Sequence, residues 1–213
     1  MRKITLPALA LAALIVTSCA KEKDGYDKNL TNDTWNLSTA TIVNENVDKY
    51  VYTNGDPNQT QTSKNTTTIS GGVQTEEQYT LNQIVNSADF FTKNVVKSDV
   101  SLSYKFEKEG TFSSDRSEKV TSTAYSETNV NENVITQTNE AQVSSSTGLW
   151  SWQNTGEQKS QLTFDLGSLQ VVSIDKSELV LQLRTSSSNT SKPNSATTLT
   201  ETETTSVDIT MTR

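Results

Sequence analysis

From residue 32 onward the apolar side chains of this chain recur every second position, which is the period of a half-buried strand. Trp35, Leu37, Thr39 and Thr41 share one parity and lead into Ile42-Val43, predicting a first strand over residues 34–43. Val47–Thr53 is a second strand, closed by the turn-forming Asn54-Gly55-Asp56-Pro57. Val100, Leu102, Tyr104 and Phe106 alternate with Ser101, Ser103 and Lys105. Glu107-Lys108-Glu109-Gly110 then turns the chain, and Thr111-Phe112 begins the return. Val120–Tyr125 and Val130–Thr138 are polar but β-favouring. Trp150 and Trp152 share a face, Leu162, Phe164 and Leu166 precede a Gly167-Ser168 turn, and Leu169–Ile174 follows. Leu179, Leu181 and Leu183 mark a late strand, and a final one lies near 199–211.

Three stretches escape this pattern. Residues 58–72 are Gln, Thr and Asn ending in Gly71-Gly72, and read either as an edge strand around Thr66–Ser70 or as a long loop. Residues 75–86 fit a short helix as well as a strand, because Tyr79, Leu81, Ile84 and Val85 satisfy both spacings. Residues 185–196 are so rich in Ser, Thr and Asn that they read as a loop. Roughly eight to eleven short strands with hairpin-length connections predict an all-β domain, an antiparallel barrel or a sandwich, spanning residues 32–213. Only 32% of the residues are apolar, which raises disorder as an alternative. Alternation argues against it: one face is apolar while the other carries Thr and Ser, which tolerate solvent and favour extended backbone.

The first 18 residues follow a different rule. Arg2 and Lys3 precede an apolar run, Leu6–Val16, of about 11 residues, whereas a spanning helix needs roughly 20. Charged start, apolar run and small residues make a secretory signal, residues 1–18. It ends in Val16-Thr17-Ser18-Cys19, a branched apolar residue and a small pair before the single cysteine of the chain. That pattern resembles a bacterial lipoprotein signal, and the resemblance implies lipidation at the Cys19 sulfur. No second cysteine exists for an intrachain disulfide. One myristoyl-sized chain anchors marginally, whereas the two or three acyl chains of a lipoprotein hold a protein on the membrane. Ala20–Asn29 is charged and nearly devoid of apolar side chains, so residues 19–31 read as a flexible tether. Lys21 and the acids Glu22 and Asp24 behind the cysteine resemble the surface-export signals of Bacteroidota lipoproteins.

Charge narrows the partners. Loss of residues 1–18 takes Arg2 and Lys3 from 18 basic side chains and none from the 25 acidic ones, so the balance falls from −7 to −9. Nucleic acid, which requires clustered Lys and Arg, is disfavoured, as is a polybasic membrane patch. Histidine is absent, which removes every Ser-His-Asp, Cys-His and His-zinc arrangement. No P-loop, dinucleotide-binding glycine motif or sustained heptad occurs, and no cofactor or metal is expected.

Asn32-Asp33-Thr34-Trp35-Asn36-Leu37 resembles the opening tryptophan strand of the lipocalin-like lipoproteins of Bacteroidota. Tyr104–Phe112 is similar to their hairpin of an apolar residue, Phe and Gly-Thr-Phe. Gly148-Leu149-Trp150-Ser151-Trp152 resembles their Gly-x-Trp strand, and Leu179–Leu183 a late strand. The motifs fall in order across residues 32–184. Asp33 stands where a glycine often precedes the tryptophan, and residues 54–98 and 113–147 are long for a compact barrel. The resemblance implies a lipocalin-like β-barrel whose biochemical role the family itself leaves open.

Candidate sites follow from residue chemistry. Trp150 and Trp152, with Trp35, are the candidate ligand-binding residues: paired indoles stack on sugar rings or line an apolar cavity, or else fill the core. Glu76-Glu77, Glu107 with Glu109, and Glu201 with Glu203 are the carboxylate pairs a glycan hydrolase would need, and they read as solvated charge. Asp24-Gly25-Tyr26-Asp27 lacks the ligand spacing of a calcium loop and reads as linker. The Asn-x-Ser/Thr triplets at Asn29, Asn32, Asn36, Asn58, Asn65 and Asn189 follow from composition. The reading is a non-enzymatic, lipid-anchored module at the outer membrane or cell surface that binds a small apolar molecule, a glycan or a protein. The alternatives are a structural surface protein or adhesin subunit, and a hydrolase with paired carboxylates.

Overall fold

A computed structural model describes residues 26–85, 90–119, 121–128, 132–138, 141–154 and 160–213. A six-residue helix α1, Tyr26–Thr31, leads into the long strand β1, Thr34–Tyr52. A hairpin follows, β2 (Gln59–Ser70) and β3 (Val73–Ile84), and then β4 (Phe90–Phe106). The chain rises through β5 (Thr111–Lys119) and β6 (Thr121–Thr128) and descends through β7 (Glu132–Thr138), β8 (Gln142–Leu149) and β9 (Ser151–Asn154). Two short strands, β10 (Ser160–Phe164) and β11 (Gly167–Ile174), precede two long ones, β12 (Glu178–Asn194) and β13 (Thr197–Thr212).

The thirteen strands among the described residues join one antiparallel sheet, and that sheet closes on itself at one end. Pairing runs from β1 to β13, β12, β11, β10 and β9. The chain itself connects β9 to β8 through Trp150, whose N–H donates to Gly110 O at 2.8 Å. β8 pairs β5, β5 pairs β4, and Ser103–Lys105 of β4 pair Thr34–Asn36 of β1. The architecture is therefore a closed barrel and not a sandwich, with β8 and β9 acting as one wall strand. Away from this closed base the β2–β3 hairpin separates β1 from β4, and β6 and β7 prolong the walls begun by β5 and β8. β9, β10 and β11 stop near the base, so the wall is open on that side while β1, β4, β12 and β13 continue. The 19 residues of β1 alone span about 60 Å at the usual strand rise.

The barrel base is filled by side chains. Trp35, Phe106, Leu162, Leu169, Leu179, Leu181 and Met211 are completely buried, and each large apolar side chain so placed contributes roughly 1.5–3 kcal/mol. Phe106 lies 5.6 to 6.2 Å from the rings of Phe112, Phe164, Tyr104 and Trp150, mostly in tilted or edge-on geometry. Gly148 is required by this packing, because a Cβ there would sit 2.6 Å from the Phe112 ring. Gly110, at φ +84°, turns the β4–β5 hairpin beneath it. The helix α1 packs against β4 and β11, which lie on opposite walls of the ring, so it plugs the base.

The structure corrects several sequence-based expectations. The tether read through residue 31 is helical from Tyr26, because burying Leu30 completely and accepting the Trp35 indole N–H on Leu30 O repays ordering a short polar segment. Residues 59–70 form neither an edge strand nor a loop: β2 lies between β1 and β3. Residues 75–86 resolve to strand as far as Ile84, since β3 pairs on both sides. Residues 185–194 are strand in continuous register with β13 up to Ser191, carried by backbone pairing with no apolar alternation.

Candidate functional site

Directly paired residues of an antiparallel sheet point to the same face, so the pairing register sorts the side chains of the long strands into rows. Leu181, Ile209, Ala40, Ile69, Gln74 and Ser98 form the uppermost row that is buried throughout. Two residues further from the base the row is Leu183, Val207, Ile42, Thr67, Glu76 and Val96, mostly half-buried. Two residues beyond that it is Thr185, Thr205, Asn44, Asn65, Gln78 and Asn94, exposed except for half-buried Thr205. The core face thus becomes a solvated face within two steps of the strand repeat. Four amide side chains stand side by side on four neighbouring strands, and Thr205 Oγ1 donates to Asn44 Oδ1 at 3.0 Å.

A polar network covers the aromatic core at this mouth. Arg116 donates from Nε and Nη2 to Glu118 Oε2, at 3.2 and 2.8 Å, and from Nη2 to Gln74 Oε1 at 3.1 Å. Gln74 in turn donates to Glu76 Oε1, so β5 and β3 are joined across the intervening β4. Tyr104 reaches the β10–β11 turn, where its hydroxyl donates to Asp165 Oδ2 at 3.4 Å. Burial raises the Asp165 carboxyl above its ordinary range, partly offset by that hydrogen bond. Burial first, and then the neighbouring Asp165 charge, pushes the Tyr104 phenol well up, so it stays a donor.

Higher on the same face stand Asp48 and Glu201, directly opposed on β1 and β13, with Glu203 one repeat below Glu201 and opposite Asn46. Desolvation raises the Tyr50 phenol, and Asp48, Tyr52 and Glu201 raise it further. The Tyr50 and Tyr52 rings stack at 6.5 Å. Lys49, Lys64, Lys93 and Lys97 take the opposite parity, where Lys93 pairs with Glu77 at 2.9 Å and Arg184 grips both oxygens of Asp208. The inner face of the extension therefore offers amides, hydroxyls and carboxylates, with no basic side chain at its register positions among the described residues.

The sequence-predicted tryptophans are brought together, inside the barrel. Trp35 is completely buried and Arg213 lies 4.1 Å above its ring, while Trp150 is buried and donates its indole N–H to Glu107 O at 2.8 Å. Trp152 is half-buried against the same core, its ring 6.0 Å from Trp150 and edge-on to it. The carboxylate pairs are dispersed. Glu76 and Glu77 face opposite sides, and Glu107 is paired with Lys105 at 2.8 Å on the hairpin. Glu201 and Glu203 share the inner face of the extension, Glu203 exposed and Glu201 half-buried. Among the described residues no group of three or more His, Cys, Asp or Glu side chains is placed to hold a metal. Cys19 and Asp24-Gly25 lie outside the described residues. Sequence reasoning missed the Arg116 network and the amide row. The row had a readable signal, because Asn44 has the parity of Ala40 and Ile42.

No family model matches the chain, and no curated protein matches it. Among solved structures it aligns with two of Ail, the attachment invasion locus protein of Yersinia pestis, the second in complex with the heparin analogue sucrose octasulfate. Identity is 9% and 8%, over 81% and 83% of this chain and 97% and 98% of theirs, with a TM-score of 0.17 in each case. A TM-score of that size is no superposition of folds, and nothing about the present chain follows from it. What the chain's own geometry establishes is an all-β antiparallel barrel, packed at its base and prolonged into a polar sheet.

Proposed function

We propose that this chain is a lipid-anchored interaction module of the outer membrane or cell surface, built on a lipocalin-like barrel and attached through Cys19. It acts by binding and not by turnover. The observation that carries the reading is the polarity of the molecule along its length. The chain enters at α1, which plugs the packed base, and the long strands leave from the other end. A tether of charged residues would then hold the base near the membrane and direct the extension outward.

The packed base also selects among partners. Aromatic rings occupy the barrel interior, and the Arg116–Gln74–Glu118 network covers them, which disfavours a small apolar guest. The inner face above it is rich in amides and hydroxyls, chemistry that suits a glycan or a protein surface, as in an adhesin subunit.

Two measurements test this reading. Cys19→Ala should release the protein from the membrane fraction or leave its leader uncleaved. A cysteine introduced in that background cannot report on the anchored form, so N54C is placed in the otherwise natural chain. Its label by a membrane-impermeant maleimide on intact cells should be strong, because Asn54 lies at the tip of the extension. Unchanged fractionation of the first variant, or no label on the second, would overturn the anchored, outward-facing reading.

A further inference from the structure

We propose that the distal half of β12 is where this chain pairs with a second copy of itself, edge to edge and antiparallel. Strand β11 pairs with β12 only as far as Gln182, so beyond that point one side of β12 has no neighbouring strand among the described residues. The other side stays in regular register with β13 up to Ser191. Thr185–Ser191 is therefore a regularly hydrogen-bonded strand with one open edge, and all of it is exposed. Proteins usually protect such an edge with charge, proline or a bulge. Here the segment contains none of these. Arg184 is drawn away from the edge onto Asp208 and onto Val207 O of β13. Lys192 and Pro193 guard only the tip.

The occupant follows from charge and from self-complementarity. A mature chain of net charge −9 repels its own copies over most of its surface, whereas this segment carries no charge of its own and Glu201 and Glu203 stand one strand behind it on β13. Antiparallel pairing centred on Ser188 sets Ser187 against Asn189, Ser186 against Thr190 and Thr185 against Ser191. Each position meets a small hydroxyl or amide partner. The same residue types already form cross-strand hydroxyl contacts along the edge of this strand that pairs with β13, Ser188 with Thr202 and Thr190 with Thr200, each at 3.3 Å. The contact is isologous, so it closes at two copies and does not propagate. So short a segment forms an interface far below the ~1,600 Å² of a stable complex, so the dimer is weak and gains strength where many copies are tethered together. Because the strands run oppositely, the two bases lie at opposite ends. A pair would thus link copies on facing surfaces, a step that rests on the anchored reading above, whereas the pairing itself does not.

The test is sedimentation equilibrium of the full-length mature chain in detergent, over a wide concentration range. A reversible monomer–dimer equilibrium is expected. S188K places two ammonium groups across the two-fold axis and should weaken the dimer by about tenfold or more, while S188T leaves it intact. Because Ser188 is exposed, both variants should keep the parent unfolding midpoint. Independently, in a C19A background, single cysteines at 186, 188 and 190 report the register: S188C should form the most disulfide-linked dimer, with a fall on either side. A monomer at every concentration, a dimer indifferent to S188K, or equal cross-linking at all three positions would overturn the proposal. None of these outcomes depends on whether Cys19 is acylated.

Discussion

The same four strands, β1, β4, β12 and β13, build two regions of opposite character. Near the base they carry Trp35, Tyr104, Phe106, Leu179, Leu181, Ile209 and Met211 into a packed interior. Further along, the positions on the same face become Asn44, Asn94, Thr185 and Thr205, exposed except for half-buried Thr205, with a bulge between Leu37 and Thr39 shifting the parity of β1. The β1–β13 and β12–β13 ladders run on across the boundary while the side chains they carry change. Register and hydrogen bonding can thus be inherited from a hydrophobic base by a sheet whose own residues could not bury enough apolar surface to order it. Stability is concentrated in the base, and the extension is free to present polar chemistry.

The sharpest way to break that contrast is to truncate matched side chains in the two regions. Phe106→Ala removes a completely buried ring that contacts four others and should cost about 3–5 kcal/mol, a large share of the stability of an ordinary domain. Asn65→Ala, exposed in the amide row, should change stability by no more than about 0.5 kcal/mol. Urea unfolding midpoints of the two variants measure the difference. Equal losses would mean that the extension carries its own share of the stability.

A smaller effect probes how tightly the base is packed. Gly148→Ala places a methyl group 2.6 Å from the nearest carbon of the Phe112 ring, and should cost about 1–3 kcal/mol. Phe112→Leu, which makes room, should lower the cost of the second substitution when the two are combined. Strict additivity in the double-mutant cycle would show that the clash is relieved elsewhere.

The same boundary decides what the sequence made legible. Alternation at Val100–Phe106 and Leu179–Leu183, and the parity of Trp150 with Trp152, marked the base correctly, because burial demands period-two apolar residues there. Gln59–Ser70 and Thr185–Asn194 read as loops or edges because their strands are held by backbone pairing begun in the base. Helix α1 was illegible for a related reason: a single side chain, Leu30, decides it through a tertiary contact. The Arg116–Gln74 bond joins residues 42 positions apart across an intervening strand, and no local spacing announces it. The closed ring itself depends on the pairing of β1 with β4, which a reading of consecutive hairpins does not include.

The mildest test concerns the boundary itself, through pH. Asp165 sits at the mouth beside Tyr104, and burial raises its carboxyl in the folded state. The folded protein therefore holds the proton where the unfolded chain releases it, so this group lowers stability as pH rises through its folded pKa and raises it on acidification toward the unfolded value. Asp175 has the opposite sign. The Ser177 and Glu178 backbone N–H groups and the Ser177 hydroxyl bind its carboxylate and hold the pKa down. Its contribution is complete above the unfolded pKa and is lost as pH falls through the folded one. The two act in adjoining windows, Asp165 above the unfolded carboxylate pKa and Asp175 below it, so on acidification the first adds stability before the second removes it. Asp165→Asn should remove the gain above the unfolded pKa and leave the loss below it in place, while Asp175→Asn should make that loss shallower. Thermal unfolding midpoints across the acidic range separate the two. If Asp165→Asn left the acid limb unchanged, the mouth would be as open to water as the extension above it, and the boundary drawn at Gln74 and Ser98 would have to move toward the base.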